Sequence, residues 1–439
     1  LQNQSLKAMI AQERDIPTLA NAIDRAQETG DLKWAIVAGE KLLELGADDA
    51  TKLEHVRNLI WAKHVLEANK IFSTLPMNHA SPFRYNQTGF QLDLILEQFA
   101  SARQYLGQLE ALQPADAPNL HQQLILRLIS AGLFAEAEEQ LATSLLQYPD
   151  NPAILVAQAQ VLFITKGADV ALRHISNCSE YLKPDSEEYK RLYASFLIEK
   201  GRYNEVFDLL ISWIDEQPRH FSLYSLADMS ASHCDRQSEF GQLLNELHQK
   251  YPKFHQLAEM RCNWAVDQND WETAENLLQG IRTRSEWASK NIELAIACQQ
   301  PNPNKVHKKF SALVLDGIQF AGPKIMLAFY IYFYQAANGG ITKARALISP
   351  YLRENMGDSG FLGLHLRLLI ADGLDEEARA FYFSLPNGLR KTAALAPFSM
   401  FFLAMDGKDE DARIGWEKYL VDTAHMSINA RSSYPKTKK

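Results

Sequence analysis

The stretch PNLHQQLILRLISAGLFAEAEEQLATSLLQYP, residues 118–149, predicts two short helices that fold back on each other. Gly132 separates the two apolar patterns and suits the left-handed conformation that often ends a helix. Ala137 is small enough for two helices to approach closely, and Leu141 lies one turn further along the same face. Pro149 then stops the second helix. The stretch is therefore a helical hairpin, and it needs neighbours of the same kind to bury its second apolar face.

This hairpin recurs along the chain at a nearly constant spacing. When Ala137 is taken as a marker, equivalent residues follow one another every 33 to 35 positions, with one step of 70. The markers are Ala35, Ala68, Ala102, Ala137, Ala171, Val206, Phe240, Ala274, Ala344, Ala378 and Ala412. Six of the eleven residues five positions before the markers are glycine, and ten of the eleven residues four positions after them are apolar. We therefore interpret the chain as an array of repeated hairpins.

A period of 34 residues with glycine, a small residue, a large apolar residue and proline in this order resembles the tetratricopeptide repeat (TPR) superfamily. The resemblance covers nearly the whole chain and is strongest in the second helix of each hairpin. In the first helix, the small residue expected twelve positions before the marker is present as Ala194 and Cys262, whereas Phe90 and Ile125 are larger. The resemblance implies an all-α fold, a right-handed superhelical α-solenoid of about twelve TPR-like hairpins.

The repeat register also predicts how the chain is divided. Residues 1–14 read as a capping or connecting helix, and the absence of an initial methionine suggests a processed form or a piece of a longer protein. A first TPR-like subarray is expected at 15–300, a degenerate unit and bend at 301–321, a second subarray at 322–425, and a loose tail at 426–439. The aromatic-rich second subarray favours a bulky core over a docking surface, and both interpretations stay open.

Composition excludes several classes of function. The chain has 439 residues, a net charge of -8 and a pI near 5.9, which argues against a general phosphate-binding surface and hence against nucleic acid as a partner. Its most apolar run, residues 325–337, is too short to span a membrane. The four cysteines lack metal-binding spacing, so free thiols in a reducing compartment are expected. We predict a cytoplasmic location, with a periplasmic one open if a signal segment was removed.

No motif points to catalysis, a cofactor or a metal. The GDSG sequence ending at Gly360 matches part of a serine-protease signature, but Phe361 replaces the next glycine and the context is a break between helices. The twelve histidines form no H-E-x-x-H motif, and the consecutive residues His233, Cys234 and Asp235 point in different directions at a helix end. The lysine and asparagine pattern by which some TPR domains hold a peptide C-terminus is also absent. We therefore predict a non-enzyme.

The predicted function is a scaffold for protein–protein interaction. The alternative is the repeat arm of a larger signalling or enzyme protein, since bacterial TPR arms like this one are joined to receiver domains, glycosyltransferases or polysaccharide-export components. The partner is expected to be a protein or peptide, and self-association is open. The candidate partner-binding residues are Lys305, His307, Lys308 and Lys309, a basic cluster suited to an acidic partner, and Arg57 and Arg84 on the inner face.

Overall fold

The computed structural model describes residues 12–29, 32–61, 64–76, 81–252, 254–268, 270–282 and 355–422, with a few single residues between them. The helices in chain order are α1 (Ile16–Thr29), α2 (Leu32–Glu44), α3 (Asp49–Trp61), α4 (Val65–Phe72), α5 (Pro82–Ile95), α6 (Phe99–Leu112), α7 (Ala117–Ser130), α8 (Phe134–Gln147), α9 (Pro152–Lys166), α10 (Ala168–Asn177), α11 (Ser179–Leu182), α12 (Glu187–Glu199), α13 (Tyr203–Glu216), α14 (Ser222–His233), α15 (Gln237–Lys250), α16 (His255–Asp267), α17 (Trp271–Arg282), α18 (Ser359–Ala371), α19 (Asp375–Ser384), α20 (Asn387–Arg390), α21 (Ala396–Met405) and α22 (Asp409–Asp422). Within these ranges the chain contains no β-strand.

These helices pair into the predicted hairpins, so the chain is an all-α, TPR-like solenoid. The hairpin predicted for residues 118–149 consists of α7 and α8, and α9 begins the next hairpin. The chain divides into two compact units. Of the described residues, those up to Leu124 form the first unit, and those from Ile125 onward form the second. The predicted boundary at residues 301–321 lies outside the described residues and stays a prediction.

The marker residues confirm the register of the repeats. Ten of the eleven markers are described, and their exposed fractions lie between 0% and 4%: Ala35, Ala68, Ala102, Ala137, Ala171, Val206, Phe240, Ala274, Ala378 and Ala412. Most of the described large apolar residues one turn later are buried as well, Leu141 and Leu210 among them. The same face of each second helix therefore packs into the core of its hairpin.

The turns inside the hairpins have the left-handed conformation that the glycine pattern predicted. Gly132 has φ +77°, and Gly373 has the same value. Two equivalent positions without glycine, Glu97 and Asp235, adopt φ 59°. Residues with a Cβ are strained in this region, although aspartate tolerates it better than most. The turn geometry is thus imposed by the repeat, and glycine relieves the strain where it occurs.

Proline and side-chain caps set many helix ends. Second helices α6, α8, α13 and α15 each end two residues before the prolines that the repeat pattern had identified. At the start of α9, the side chain of Asn151 accepts a hydrogen bond from the Ala153 amide at 3.0 Å, and Pro152 occupies the first turn, where no amide donor is needed. These local signals explain why element boundaries follow the sequence closely.

Two glycines inside helices are needed because a ring occupies the space of their missing side chain. A Cβ built on Gly241 would lie 2.0 Å from the Trp264 ring, whose Nε1 donates to the Gln237 carbonyl at 3.0 Å. A Cβ on Gly39 would lie 2.0 Å from Nδ1 of His55. His55 is buried, and burial lowers its pKa to about 4, so the ring is neutral.

The described C-terminal aromatic residues are mostly core. Phe398, Phe402 and Tyr382 have exposed fractions of 2% or less, and their rings pack together with centroid distances of 5.5 and 6.4 Å. Phe383 is the exception, with 51% of its surface exposed. The aromatic run near residues 329–334 lies outside the described residues.

Backbone strain in the turns predicts opposite effects at equivalent positions. We expect Asp235→Gly to raise the free energy of unfolding by about 0.5–1 kcal/mol, because it relieves a left-handed residue. Gly373→Ala should lower it by about 1–2 kcal/mol, since no atom lies within 4 Å of the added Cβ and only backbone strain remains. Urea unfolding of both variants measures the two shifts. Shifts of the same sign would contradict this assignment.

Candidate interaction surfaces

The first helix α3 keeps part of its surface accessible to solvent, and Arg57 lies on that part. On α3, Val56, Leu59 and Ile60 are buried in the core, whereas Trp61 keeps 46% of its surface exposed. The side chain of Arg57 donates to Glu54 Oε2 at 2.8 Å, one turn earlier. Its guanidinium also lies 5.4 Å from the centre of the Trp61 ring, one turn later. Glu54, Arg57 and Trp61 therefore form one connected patch along α3.

The remaining predicted partner-binding residues are placed differently. Arg84 is exposed in the first turn of α5, a separate first helix, and no hydrogen bond, ion pair or ring contact joins it to Arg57. Lys305, His307, Lys308 and Lys309 lie outside the described residues. Arg57 thus contacts Glu54 and Trp61, and its role in binding a partner stays a prediction.

A second surface is closed by the chain itself. Within the second unit, the segment 355–395 packs on the C-terminal ends of three successive first helices, α7, α9 and α12. The amide of Met356 donates to the Ser130 carbonyl at 3.0 Å, and the amide of Ala393 donates to the Glu199 carbonyl at 2.8 Å. Ser130 and Glu199 are the last residues of α7 and α12. The contact therefore satisfies carbonyl groups that a helix end otherwise leaves without a partner.

The middle helix of the three is approached even more closely. Helix α20 contacts the end of α9, and a Cβ built on Gly388 would lie 2.1 Å from the Phe163 carbonyl oxygen and 2.4 Å from that of Ile164. Only glycine permits this approach. On the α9 side, Gly167 lies against the same segment with φ +104°. The two glycines allow the backbone of α20 to contact the C-terminal end of α9.

The GDSG sequence belongs to this contact. Asp358 caps the start of α18, where its carboxylate accepts from the Phe361 amide at 2.7 Å. Ser359 is buried, and its hydroxyl donates to Glu199 Oε2 at 2.6 Å. The aspartate and the serine therefore serve helix capping and packing between distant hairpins.

The contact covers the C-terminal end of α9, at Phe163, Ile164 and Gly167. Five consecutive residues near the other end of this helix, 153–157, are buried as well. Sequence reasoning missed the contact with α20. The apolar run AILVA, residues 153–157, indicated a buried helix, but no local pattern indicated which distant segment reaches its C-terminal end.

The approach at Gly388 predicts how the closure fails. Gly388→Ala should force α20 away from α9, lowering the free energy of unfolding by about 1–3 kcal/mol. Hydrogen–deuterium exchange should also speed up at the Ala393 amide, because its bond to Glu199 is lost.

The matched control for this variant is Gly280→Ala. Gly280 is an exposed helical glycine of the same unit with no atom within 4 Å of the added Cβ, and its replacement should raise stability by up to about 1 kcal/mol. Unchanged exchange at Ala393 in Gly388→Ala would show that the segment is not held at this point.

A carboxylate occupies a position that is otherwise apolar. Asp228 of α14 lies twelve residues before its marker, where the equivalent Ala159, Ala194 and Cys262 are fully buried. It makes no hydrogen bond or ion pair with a described residue, and burial raises its pKa from 3.8 to about 6. The folded state therefore favours the protonated form. This contribution to stability is complete below the ordinary pKa and is lost as the pH rises from about 4 through about 6.

Removing this charge should change the pH dependence of unfolding. We expect Asp228→Asn to stabilise the protein at about pH 7.5 by about 1–2 kcal/mol, because it removes the cost of ionising a carboxylate that is shielded from water. The gain should shrink towards pH 4, where Asp228 is already protonated. Thermal unfolding at both pH values measures it, with exposed Asp215→Asn as the control. A gain that is equal at both pH values would contradict the raised pKa.

The described residues contain no other arrangement that suggests chemistry. No group of three or more histidine, cysteine and acidic side chains is placed to hold a metal ion in the described part of the chain. Nδ1 of His233 is hydrogen-bonded to the Met229 carbonyl oxygen at 2.7 Å, and the His233 ring stacks on Tyr203. The described cysteines, Cys178, Cys234 and Cys262, are free thiols. Among the described helices, none is both long and apolar enough to cross a membrane.

Comparisons with known proteins agree with the repeat architecture only in general terms. No family model and no curated protein matches the chain. A TPR protein from Parabacteroides merdae is 14% identical, with 57% of this chain and 98% of that one covered at a TM-score of 0.40. Yeast Tom70 is 13% identical, with 86% of this chain and 93% of Tom70 covered at a TM-score of 0.43. Cut9, from the Cut9–Hcn1 tetramer of APC/C, is 11% identical, with 98% of this chain and 97% of that one covered at a TM-score of 0.32. Because all three TM-scores lie below 0.5, the TPR-like assignment rests on the register and hairpins described above.

Proposed function

We propose that this chain is a non-catalytic scaffold for protein–protein interaction and that the Glu54–Arg57–Trp61 patch on α3 contacts a protein or peptide partner. The observation that carries the proposal is the exposure of Trp61 beside an arginine that is already held in place. Tryptophan and arginine are enriched among residues that dominate binding energy at interfaces. Exposing a large apolar ring to water is unfavourable, and a partner that covers the ring would remove this cost.

The geometry supports apolar contact more than charge recognition at this patch. Arg57 has an acidic partner in Glu54, so its charge is balanced within the helix. The Trp61 ring offers the apolar surface, and Arg57 covers part of it. The salt bridge and the cation–π contact restrict both side chains before binding, which reduces the entropy lost on association.

We also propose that the chain works in a reducing compartment, most simply the cytoplasm, because the described cysteines are free thiols. The basic cluster at Lys305, His307, Lys308 and Lys309, and Arg84, are retained as further proposed partner contacts on sequence grounds alone. Arg84 adds an exposed cation on a neighbouring first helix.

The α3 patch predicts a selective loss of binding. Immobilised wild-type chain and a Trp61→Ala/Arg57→Gln double variant would be used to capture proteins from a lysate of the source cells, with quantification by mass spectrometry. We expect proteins enriched by the wild type to fall at least about tenfold with the double variant, because the main apolar contact is removed.

The control variant is Lys70→Glu, which changes an exposed charge on α4 outside the patch. It should retain the captured proteins. Equal capture by all three chains, with intact helical content, would contradict a partner site on α3. Turnover of a substrate by the purified chain would contradict the scaffold assignment.

A further inference from the structure

The second helix α19 exposes a phenylalanine between two arginines. Phe383 has 51% of its surface in solvent, although most of the described aromatic residues around it are buried. The guanidinium of Arg379, one turn earlier on α19, lies 5.9 Å from the centre of its ring. The guanidinium of Arg390, from the short helix α20, lies 5.8 Å from the same centre. The ring is thus an apolar surface bordered by two cations.

The two arginines differ in their acidic partners. Arg379 is held by both carboxylate oxygens of Asp406, one of them at 2.8 Å. Arg390 has no acidic partner among the described residues, and its Nε is buried without a hydrogen bond. Its guanidinium instead lies near the rings of Phe383 and Tyr382, the latter at 6.0 Å. Arg390 is therefore a half-buried cation to which the described part of the chain supplies no carboxylate, its strongest class of partner.

The backbone that carries Arg390 is fixed on both sides. Its own amide donates to the Pro386 carbonyl at 3.1 Å, and the buried Thr392 hydroxyl donates to the Leu389 carbonyl at 2.8 Å. Gly388, two residues earlier, contacts the end of α9. A ligand would have to order little more than the Arg390 side chain itself. Such preorganisation lowers the entropic cost of binding.

We propose that Phe383 and Arg390 form a docking site for an acidic segment of a partner protein. A carboxylate of that segment would accept two parallel hydrogen bonds from the Arg390 guanidinium, for which a planar fork is the matching donor. An apolar side chain next to the carboxylate would cover the Phe383 ring. The proposal rests on charge complementarity, because the half-buried Arg390 lacks an anion that the described fold supplies to Arg379.

This site is independent of the α3 patch, since it belongs to the second compact unit and Glu54, Arg57 and Trp61 belong to the first. It also lies on other kinds of element, because α3 is a first helix, whereas α19 is a second helix and α20 lies in the connection to the next hairpin. A failure at either site therefore leaves the other unaffected.

Peptide binding tests the proposal directly. The probe is a fluorescein-labelled peptide with the repeated sequence Glu-Leu-Glu, and its Gln-Leu-Gln counterpart tests the need for charge. Fluorescence anisotropy with the full chain should show binding of the glutamate peptide that weakens as salt is raised. Arg390→Gln should weaken it at least about tenfold, and Phe383→Ser should weaken it too. Arg390→Lys should restore it only in part, because a lysine lacks the planar fork.

Two control variants separate this site from general charge effects. Arg413→Gln removes an arginine of α22 that is paired with Glu410 and Glu417, and it should bind as the wild type does. Lys70→Gln, which removes an exposed cation of α4, should also bind normally. Equal binding of both peptides, or equal binding by Arg390→Gln with intact folding, would overturn the proposal. Wild-type self-association that Arg390→Gln abolishes would overturn it as well, because the occupant would then be a second copy of this chain.

Discussion

The distance between neighbouring helices in this chain is set by one buried residue in each second helix, and the regularity of the array depends on it. Where that residue is alanine, as at Ala137 and Ala274, it adds only a buried methyl group between the two helices. The hairpin of α14 and α15 departs from the rule, since its marker is Phe240. There the next residue is Gly241, and the Trp264 ring of the following hairpin fills the space that a side chain would take. A large residue at the crossing is thus compensated by a missing one beside it.

The same hairpin carries a second departure, because Asp228 stands where neighbouring first helices have an alanine or a cysteine. A carboxylate and a phenylalanine in one hairpin keep its core filled, at the cost of a half-buried charge. Repeat arrays tolerate such local exceptions because each hairpin contacts mainly its neighbours. The segment 355–395 goes beyond this rule. It links hairpins that are far apart in the chain through helix-end carbonyls, and it relies on Gly388 to reach them.

Local features of the fold were predictable from the sequence, whereas contacts between distant hairpins were not. Spacing alone placed the markers, the left-handed turn at Gly132 and the proline stops, because each depends on a few adjacent residues. The contact between Gly388 and α9 joins positions more than two hundred residues apart, and no local pattern encodes which helix end is reached. The same limit applies to glycines after residue 355. Gly357 is the first residue of the GDSG sequence, and the structure gives it a packing role, since its Cβ would lie 3.0 Å from Cγ2 of Ile129.

Charge density along the sequence is a poor guide to which cations are available for a partner. Arg57 was singled out by position, yet the fold gives it Glu54, so its patch offers mainly the Trp61 ring. Arg390 stands in no conspicuous basic cluster, and it is half-buried beside two rings with no acid among the residues that the structure describes. An arginine's contribution to binding depends on what it already bonds in the free protein, because an ion pair must be replaced before a new one gains energy. The two surfaces therefore fit different chemistry, an apolar contact at α3 and an anionic one at α20.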